Sequence, residues 1–179
     1  MNGKTVLASS LVLVMLLTFV APVIAAPTNG QKDAITLSWT LSSSKVIDTL
    51  LSGTIVHRHV HNTWDVRLTF VATGDFYVGT ATNERDVTIV PEPDGVGTQR
   101  NYRDYYSITF PIQEGLAQAG GFDGNAMVFA QHYGTSSMTV WTHGLFKGTG
   151  AFEGQTINAG VPPYEAANSM TWEGFLLKR

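Results

Sequence analysis

Strict alternation of apolar and polar residues is the feature that most restricts what this chain can fold into. In the stretch ITLSWTL, residues 35–41, every second residue is apolar, and the stretches 64–73 and 106–112 repeat the pattern. A period of two is typical of a β-strand with one buried and one solvent-facing side. Pro111 restricts the end of the third stretch to an edge strand or a bulge, because proline cannot donate a ladder hydrogen bond.

Further strand candidates lie between glycine- and proline-rich turn signals. They cover residues 53–60, 76–82, 86–90, 126–132, 138–146, 152–159 and 169–178. Helix is limited to short turns over 43–51 and 113–118, the segment 91–104 is predicted to be a long loop, and Asp123 is predicted to be a turn residue beside glycine. Closely spaced strands with one apolar face predict an all-β fold, a single antiparallel β-barrel of about eight strands.

The first 25 residues have the layout of a secretory signal peptide. A short, positively charged start is followed by an apolar run and by small residues that fit the cleavage rule. We place cleavage after Ala25, which leaves 26–179 as one barrel domain, with 27–34 poorly ordered. The protein is then secreted or extracytoplasmic. The alternative is a membrane anchor formed by uncleaved residues 5–25, because the run is nearly long enough to span a bilayer.

The composition argues against several classes of function. Cysteine is absent, so a cysteine nucleophile is excluded and core burial has to replace disulfide bonds in an exported domain. The net charge of −3 without a basic block argues against a nucleic-acid partner. The chain contains no Gly-x-Ser-x-Gly elbow, phosphate loop or His-Glu-x-x-His motif. No catalytic residue and no cofactor therefore follow from the sequence.

Three of the five histidines occupy alternate positions of the segment HRHVH, namely His57, His59 and His61. On a strand they would share one face, where two neighbouring imidazoles can bind one metal ion but three cannot converge on it. A catalytic zinc site would need another ligand, such as His132 or His143. We favour a row of surface histidines over a polar patch in a cavity or a metal site, and we predict no metal.

The face that these histidines occupy depends on register. Pairing of His61 with Trp64 through a two-residue loop at 62–63 points the histidines inward, whereas pairing of Val60 with Trp64 through a three-residue loop points them to solvent. Val60 favours the second register, while Arg58 argues against it. The alternation alone leaves both registers open.

Aromatic residues in strand-like segments form the second candidate site. Small barrels are either filled by side chains or hold one small ligand, so the aromatics are core residues or pocket walls. The residues that we select as a possible ligand-binding set are Trp39, Trp64, Phe70, Phe129 and Trp141.

The most distinctive motif is GTGAFEGQ at 148–155, followed by the terminal strand W-x-G-x-L-L-K at 172–178. Closely spaced glycines allow a sharp bend, and we expect Phe152 to fill the space beneath it. These residues resemble the closing part of the allene oxide cyclase and dirigent barrel superfamily. They are still more similar to uncharacterised exported prokaryotic proteins that share the GTGAFEGQ turn. The resemblance covers roughly the last third of the chain. It implies a closed barrel of about eight strands, often with an apolar cavity, and it carries over no catalytic residue.

Two classes of function stay open. As a binding module, the protein would hold a small apolar or aromatic molecule or present its loops to a surface partner. As an enzyme, it would be an isomerase or cyclase of the barrel type, or a metal-dependent hydrolase that uses the histidine strand. We favour the binding module, because no catalytic group stands in a recognisable motif. The sequence does not indicate an oligomeric state.

Overall fold

The computed structural model describes residues 30–91, 97–133, 135, 137–165 and 169–178. These residues form antiparallel strands, and no helix occurs among them. The strands are β1 (Gln31–Ser52), β2 (Ile55–Phe70), β3 (Phe76–Pro91), β4 (Gly97–Phe110), β5 (Gly120–Tyr133), β6 (Thr139–Gly150), β7 (Gln155–Glu165) and β8 (Ser169–Lys178). Each strand pairs with the next, and β8 pairs with β1, so the sheet closes. The prediction of an all-β barrel of about eight strands is confirmed. The predicted signal peptide lies outside the described residues.

β1 and β2 are longer than the sequence pattern predicts. β1 continues through 43–51, so the helical turn predicted there is wrong, and it starts at Gln31, within the segment expected to be poorly ordered. β2 runs without interruption through Asn62 and Thr63, where a turn was expected. The reason is pairing: β2 supplies cross-strand partners for 43–52, and the Asn62 side chain is buried inside the barrel.

Two other predicted boundaries are also wrong. β3 is one strand across the separate segments predicted at 76–82 and 86–90. The loop predicted at 91–104 is mostly strand, because β4 begins at Gly97 and pairs with β3 and β5 on its two sides. Residues 92–96 lie outside the described part of the chain.

The glycines around Asp123 serve close strand contact and do not form a turn. Asp123 lies within β5, where it pairs with Ser107 and Lys147. A Cβ atom at Gly124 would lie 2.1 Å from the carbonyl oxygen of Leu145. The helical turn predicted at 113–118 is replaced by turns and a single bridge between Gln113 and Leu116.

Alternate side chains of the strands fill the barrel. The fully buried large residues are Trp39, Trp172, Tyr106, Phe110, Phe122, Phe146, Ile35, Leu37, Leu68, Ile108, Ile157 and Leu176. We call the end of the barrel with the turns at 71–75, 111–119 and 151–154 the closed end. The end that carries the Gly53–Thr54 turn is the hairpin end.

Phe152 fills the closed end, as the glycine motif predicts. Its side chain is only 4% exposed, and its ring lies 4.7 Å from the ring of Phe122. A Cβ atom at Gly148 would lie 1.8 Å from the carbonyl oxygen of Phe152, so only glycine fits there. The bend and its aromatic residue therefore form one packed unit.

The last part of β1 leaves the closed ring. Pairing between β1 and β8 ends at Thr40 and Ser169, whereas pairing between β1 and β2 continues to Ser52 and Ile55. We call residues 43–52 the β1 arm. Within the described part of the chain, the arm is hydrogen-bonded to a neighbouring strand along one side only.

Candidate functional site

The structure separates the five aromatic residues selected from the sequence into three places. Trp39 and Trp64 lie inside the barrel with ring centroids 6.2 Å apart. Phe70 is partly buried near the closed end, 5.8 Å from the ring of Tyr77. The structure therefore brings two of the five together in the interior.

Phe129 and Trp141 form a pair on the other face of the sheet. Their rings are 5.3 Å apart on the neighbouring strands β5 and β6. Val128 and Val140, which precede them, are buried, so alternation directs Phe129 and Trp141 to the outer face. They do not share a cavity with Trp39 and Trp64.

Buried polar side chains occupy strand positions toward the hairpin end from the interior tryptophans, and one of them, Asn83, contacts Trp64 directly. On β2, Asn62 is the inward-facing residue next to Trp64. On β3, Asn83 is the inward-facing residue next to Ala81. Asn62 and Asn83 are direct partners in the pairing of the two strands. We call this set the polar layer; its buried members are Asn62, Asn83, Gln99, Asp104 and Thr142. A layer of this kind inside a small barrel is unusual, because the interior of such barrels is normally filled by apolar side chains.

The polar layer was not predicted from the sequence, although the sequence contains a signal for it. Asn62 has the same parity as Val60, Trp64 and Val66, so unbroken alternation would have placed it inside. The assumption of a turn at Asn62 hid this periodicity, because asparagine is common in turns.

Asn83 orients the Trp64 ring. Its Oδ1 atom accepts hydrogen bonds from Trp64 Nε1 at 2.8 Å and from Asn62 Nδ2 at 3.1 Å. Because both partners are donors, the atom of the Asn83 amide that faces them must be the oxygen and not the nitrogen. Trp64 is thus held in one orientation at the boundary between the aromatic core and the polar layer.

Several other polar atoms in this region have no hydrogen-bond partner within the described part of the chain. They are Trp39 Nε1, Asn62 Oδ1, Asn83 Nδ2, Arg85 Nε and Thr142 Oγ1. A buried polar atom that stays unsatisfied costs about 1–3 kcal/mol, and most such atoms in proteins have a partner. Water or a bound molecule can supply partners to such atoms.

The histidine row lies on the outer face of β2, next to acidic and hydroxyl side chains of β3. His57 Nδ1 is 3.1 Å from Thr88 Oγ1, and His59 Nδ1 is 2.9 Å from Asp86 Oδ1. His61 Nδ1 contacts Glu84 Oε1. The histidines therefore form a surface row, as favoured from the sequence. Neither of the two hairpin registers considered from the sequence occurs, because β2 continues through Asn62 and Thr63.

His59 has a carboxylate beside each of its two ring nitrogens. Its Nε2 atom is also 2.9 Å from Glu84 Oε2, so both ring nitrogens face carboxylates. A neutral imidazole has one N–H group and cannot donate to both. The hydrogen bond to Asp86, aided by the charge of Glu84, raises the pKa of His59 above its usual value, while partial desolvation opposes the shift.

No group of three or more histidine, aspartate or glutamate side chains is arranged to hold a metal ion among the described residues. His132 lies on β5 and His143 on β6, and neither strand pairs with β2. The structure therefore does not bring either residue to the histidine row as a further ligand.

Comparisons of the chain with family models, with curated proteins and with solved structures gave no match. Within the residues that the structure describes, no helix has the length and apolar character needed to cross a membrane.

Proposed function

We propose that the protein is an exported binding module that holds a small, largely apolar or aromatic molecule inside the barrel, between the interior tryptophans and the hairpin end. The observation that carries the proposal is the set of buried polar atoms, Trp39 Nε1 among them, that have no partner within the described residues and lie on strand positions toward the hairpin end. Ligand sites are commonly apolar with a few placed polar groups. The same barrel type is what the resemblance of the GTGAFEGQ motif implies.

The polar layer defines the chemistry of the ligand. Asn62 Oδ1 can accept a hydrogen bond, Asn83 Nδ2 can donate one, and Thr142 Oγ1 can do either. Trp64 supplies an aromatic surface whose orientation its bond to Asn83 maintains. A flat ring with a donor and an acceptor on its edge, such as a phenol or an aromatic amide, matches this combination.

The size of the ligand is limited by the aromatic core. Phe110, Phe122 and Phe152 fill the closed end with ring centroids 4.7–6.5 Å apart. The proposed ligand is therefore confined to the part of the interior toward the hairpin end. A molecule of one or two rings is the class that we expect.

A barrel-type isomerase is the second candidate, because the polar layer contains a carboxylate. Asp104 is fully buried, and its Oδ2 atom lies 3.5 Å from the hydroxyl of Tyr106. A buried carboxylate near a phenol can take part in proton transfer. Turnover of a bound molecule that is lost in D104N, with binding retained, would favour this candidate.

Native mass spectrometry of protein purified from its own source tests the proposal directly. We expect a retained organic molecule of low mass. Phenol and benzamide serve as probes for protein freed of that molecule, with binding measured by calorimetry and by the rise in thermal stability that a ligand produces.

Thr142→Val is the sharpest variant, because it removes a hydroxyl without changing the side-chain shape. The unliganded protein should be as stable as the wild type or more stable, since one unpartnered buried group is lost. Binding of the probe should weaken roughly fivefold, the value of one net hydrogen bond of about 1 kcal/mol. Thr139→Val on the outer face of the same strand is the matched control. Equal binding by both variants, or the absence of any retained molecule and any probe binding, would contradict the proposal.

A further inference from the structure

The β1 arm combines a free sheet edge with exposed apolar side chains. Beyond Thr40, β1 has no strand on its β8 side within the described residues, and none of these residues pairs with the backbone of 43–52 on that side. The exposed fractions of the apolar side chains on the arm are 50% for Val46, 51% for Ile47, 65% for Leu50 and 67% for Leu51. Proteins usually protect such edges, because they pair readily with another strand.

A bulge gives the arm a particular charge pattern. Lys45 pairs with His61 and Asp48 pairs with His59, with a register shift between Val46 and Asp48. Residues three apart on a regular strand point to opposite faces. Because of the bulge, Lys45 and Asp48 both lie on the outer face beside the histidine row. No ion pair of Lys45 is found among the described residues.

This pattern is self-complementary. In an antiparallel pair of two identical arms with the two-fold axis between Val46 and Ile47, Lys45 lies opposite Asp48 of the partner subunit, and the contact occurs twice. Val46 then lies opposite Ile47 of the partner subunit. Cross-strand pairs of opposite charge and of apolar β-branched residues both favour antiparallel association.

We propose that the β1 arm is a homodimerisation surface on which residues 43–50 of two copies pair antiparallel, edge to edge. A second copy fits better than an unrelated chain, because the one positive and the one negative side chain of the segment 43–50 are placed symmetrically about the axis. Such an interface is smaller than the standard size of about 1,600 Å². We therefore expect a reversible dimer that dissociates on dilution.

Charge reversal in a mixing experiment tests this arrangement. Sedimentation equilibrium should show a concentration-dependent dimer for the wild type. K45E and D48K should each weaken dimerisation roughly tenfold or more, because each places two like-charge pairs across the interface. An equimolar mixture of K45E and D48K should form a heterodimer, and the double variant K45E/D48K should again form a homodimer. E153K, in the exposed turn at the closed end, is the control and should behave as the wild type.

A cross-linking variant tests the same register without relying on charge. The chain contains no cysteine, so K45C/D48C introduces the only thiols. In the proposed dimer the two thiols of each cross-strand pair face each other, and mild oxidation should give a covalent dimer. A monomeric wild type at every concentration would overturn the proposal. So would a dimer that the single charge reversals leave unchanged, or a K45E and D48K mixture that does not associate.

Discussion

Phe152 is the residue on which the closed end of the barrel depends, and Phe152→Ala measures that dependence. The ring is 4% exposed and contacts the rings of Phe122, Phe110 and Tyr77 at centroid distances of 4.7, 5.7 and 5.8 Å. Replacement of a buried phenylalanine by alanine costs about 3–5 kcal/mol of unfolding free energy. The loss depends on how far the surroundings can collapse into the space.

The surroundings of Phe152 have little freedom to collapse. The turn is held by backbone hydrogen bonds from Phe152 N to Thr149 O at 3.1 Å and from Gln155 N to Phe152 O at 3.0 Å. Gly150 and Gly154 have φ values of 57° and 77°, which fix the path of the chain on both sides. We therefore expect a loss in the upper part of the range, about 4–5 kcal/mol.

Urea unfolding followed by tryptophan fluorescence gives the comparison. Phe152→Leu keeps most of the side-chain volume and should cost roughly 1–2 kcal/mol. Phe175→Ala is the control, since Phe175 is 40% exposed and contacts Lys32 on the outer face; its loss should be below about 1 kcal/mol. A Phe152→Ala variant that loses no more than Phe175→Ala would refute the claim that this ring fills the closed end.

Three further predictions follow from single contacts. Gly148→Ala should prevent native folding or lower the thermal midpoint severely, because its Cβ atom would lie 1.8 Å from the carbonyl oxygen of Phe152; a thermal midpoint equal to that of the wild type would contradict this. His59→Gln should lower stability most near pH 5–6, because the raised pKa of His59 makes its contribution complete below about pH 6.5 and lost as the pH rises through the folded-state pKa. The loss, measured by urea unfolding, should stay below about 1 kcal/mol for so exposed a pair, and a loss that grows with pH would show that the reasoning is wrong. Asp33→Asn removes a 2.7 Å ion pair with Lys178, whose hydrogen bond lowers the pKa of Asp33. Its effect on stability should be present at neutral pH and disappear as the pH falls below about 4, and a constant difference across that range would count against it.

Local periodicity was sufficient to predict the class of fold. Residues 35–41 and 64–70 alternate so strictly that only strands with one buried side accommodate them, and both stretches lie in strands of the barrel. The pattern predicted strand as far as residue 73, but β2 ends at Phe70 and residues 71–73 form a turn. The glycine motif was sufficient to predict a packed bend over Phe152, because glycine is required wherever a Cβ atom would strike the backbone. These features depend on neighbours within a few residues.

The extent of the strands was decided by partners distant in the sequence. The segment HRHVHNTW resembles a strand followed by a turn, since asparagine is common in turns. In the barrel, Asn62 continues the strand because Asn83, on the neighbouring strand, accepts its hydrogen bond in the interior. The same holds for the β1 arm, whose strand conformation depends on pairing with β2.

The candidate sites also depend partly on local sequence pattern and partly on tertiary structure. The sequence by itself determined that His57, His59 and His61 share one face, because side chains alternate along a strand. Only the register with β3 decided that Asp86 and Glu84 lie beside them. Likewise, the sequence singled out aromatic residues, but barrel closure decided that Trp39 and Trp64 meet inside while Phe129 and Trp141 pair on the outer face. A period of two tells which residues lie on the same side of a strand. Which side becomes the interior, and which residues lie opposite, depends on strand pairing between residues far apart in the chain.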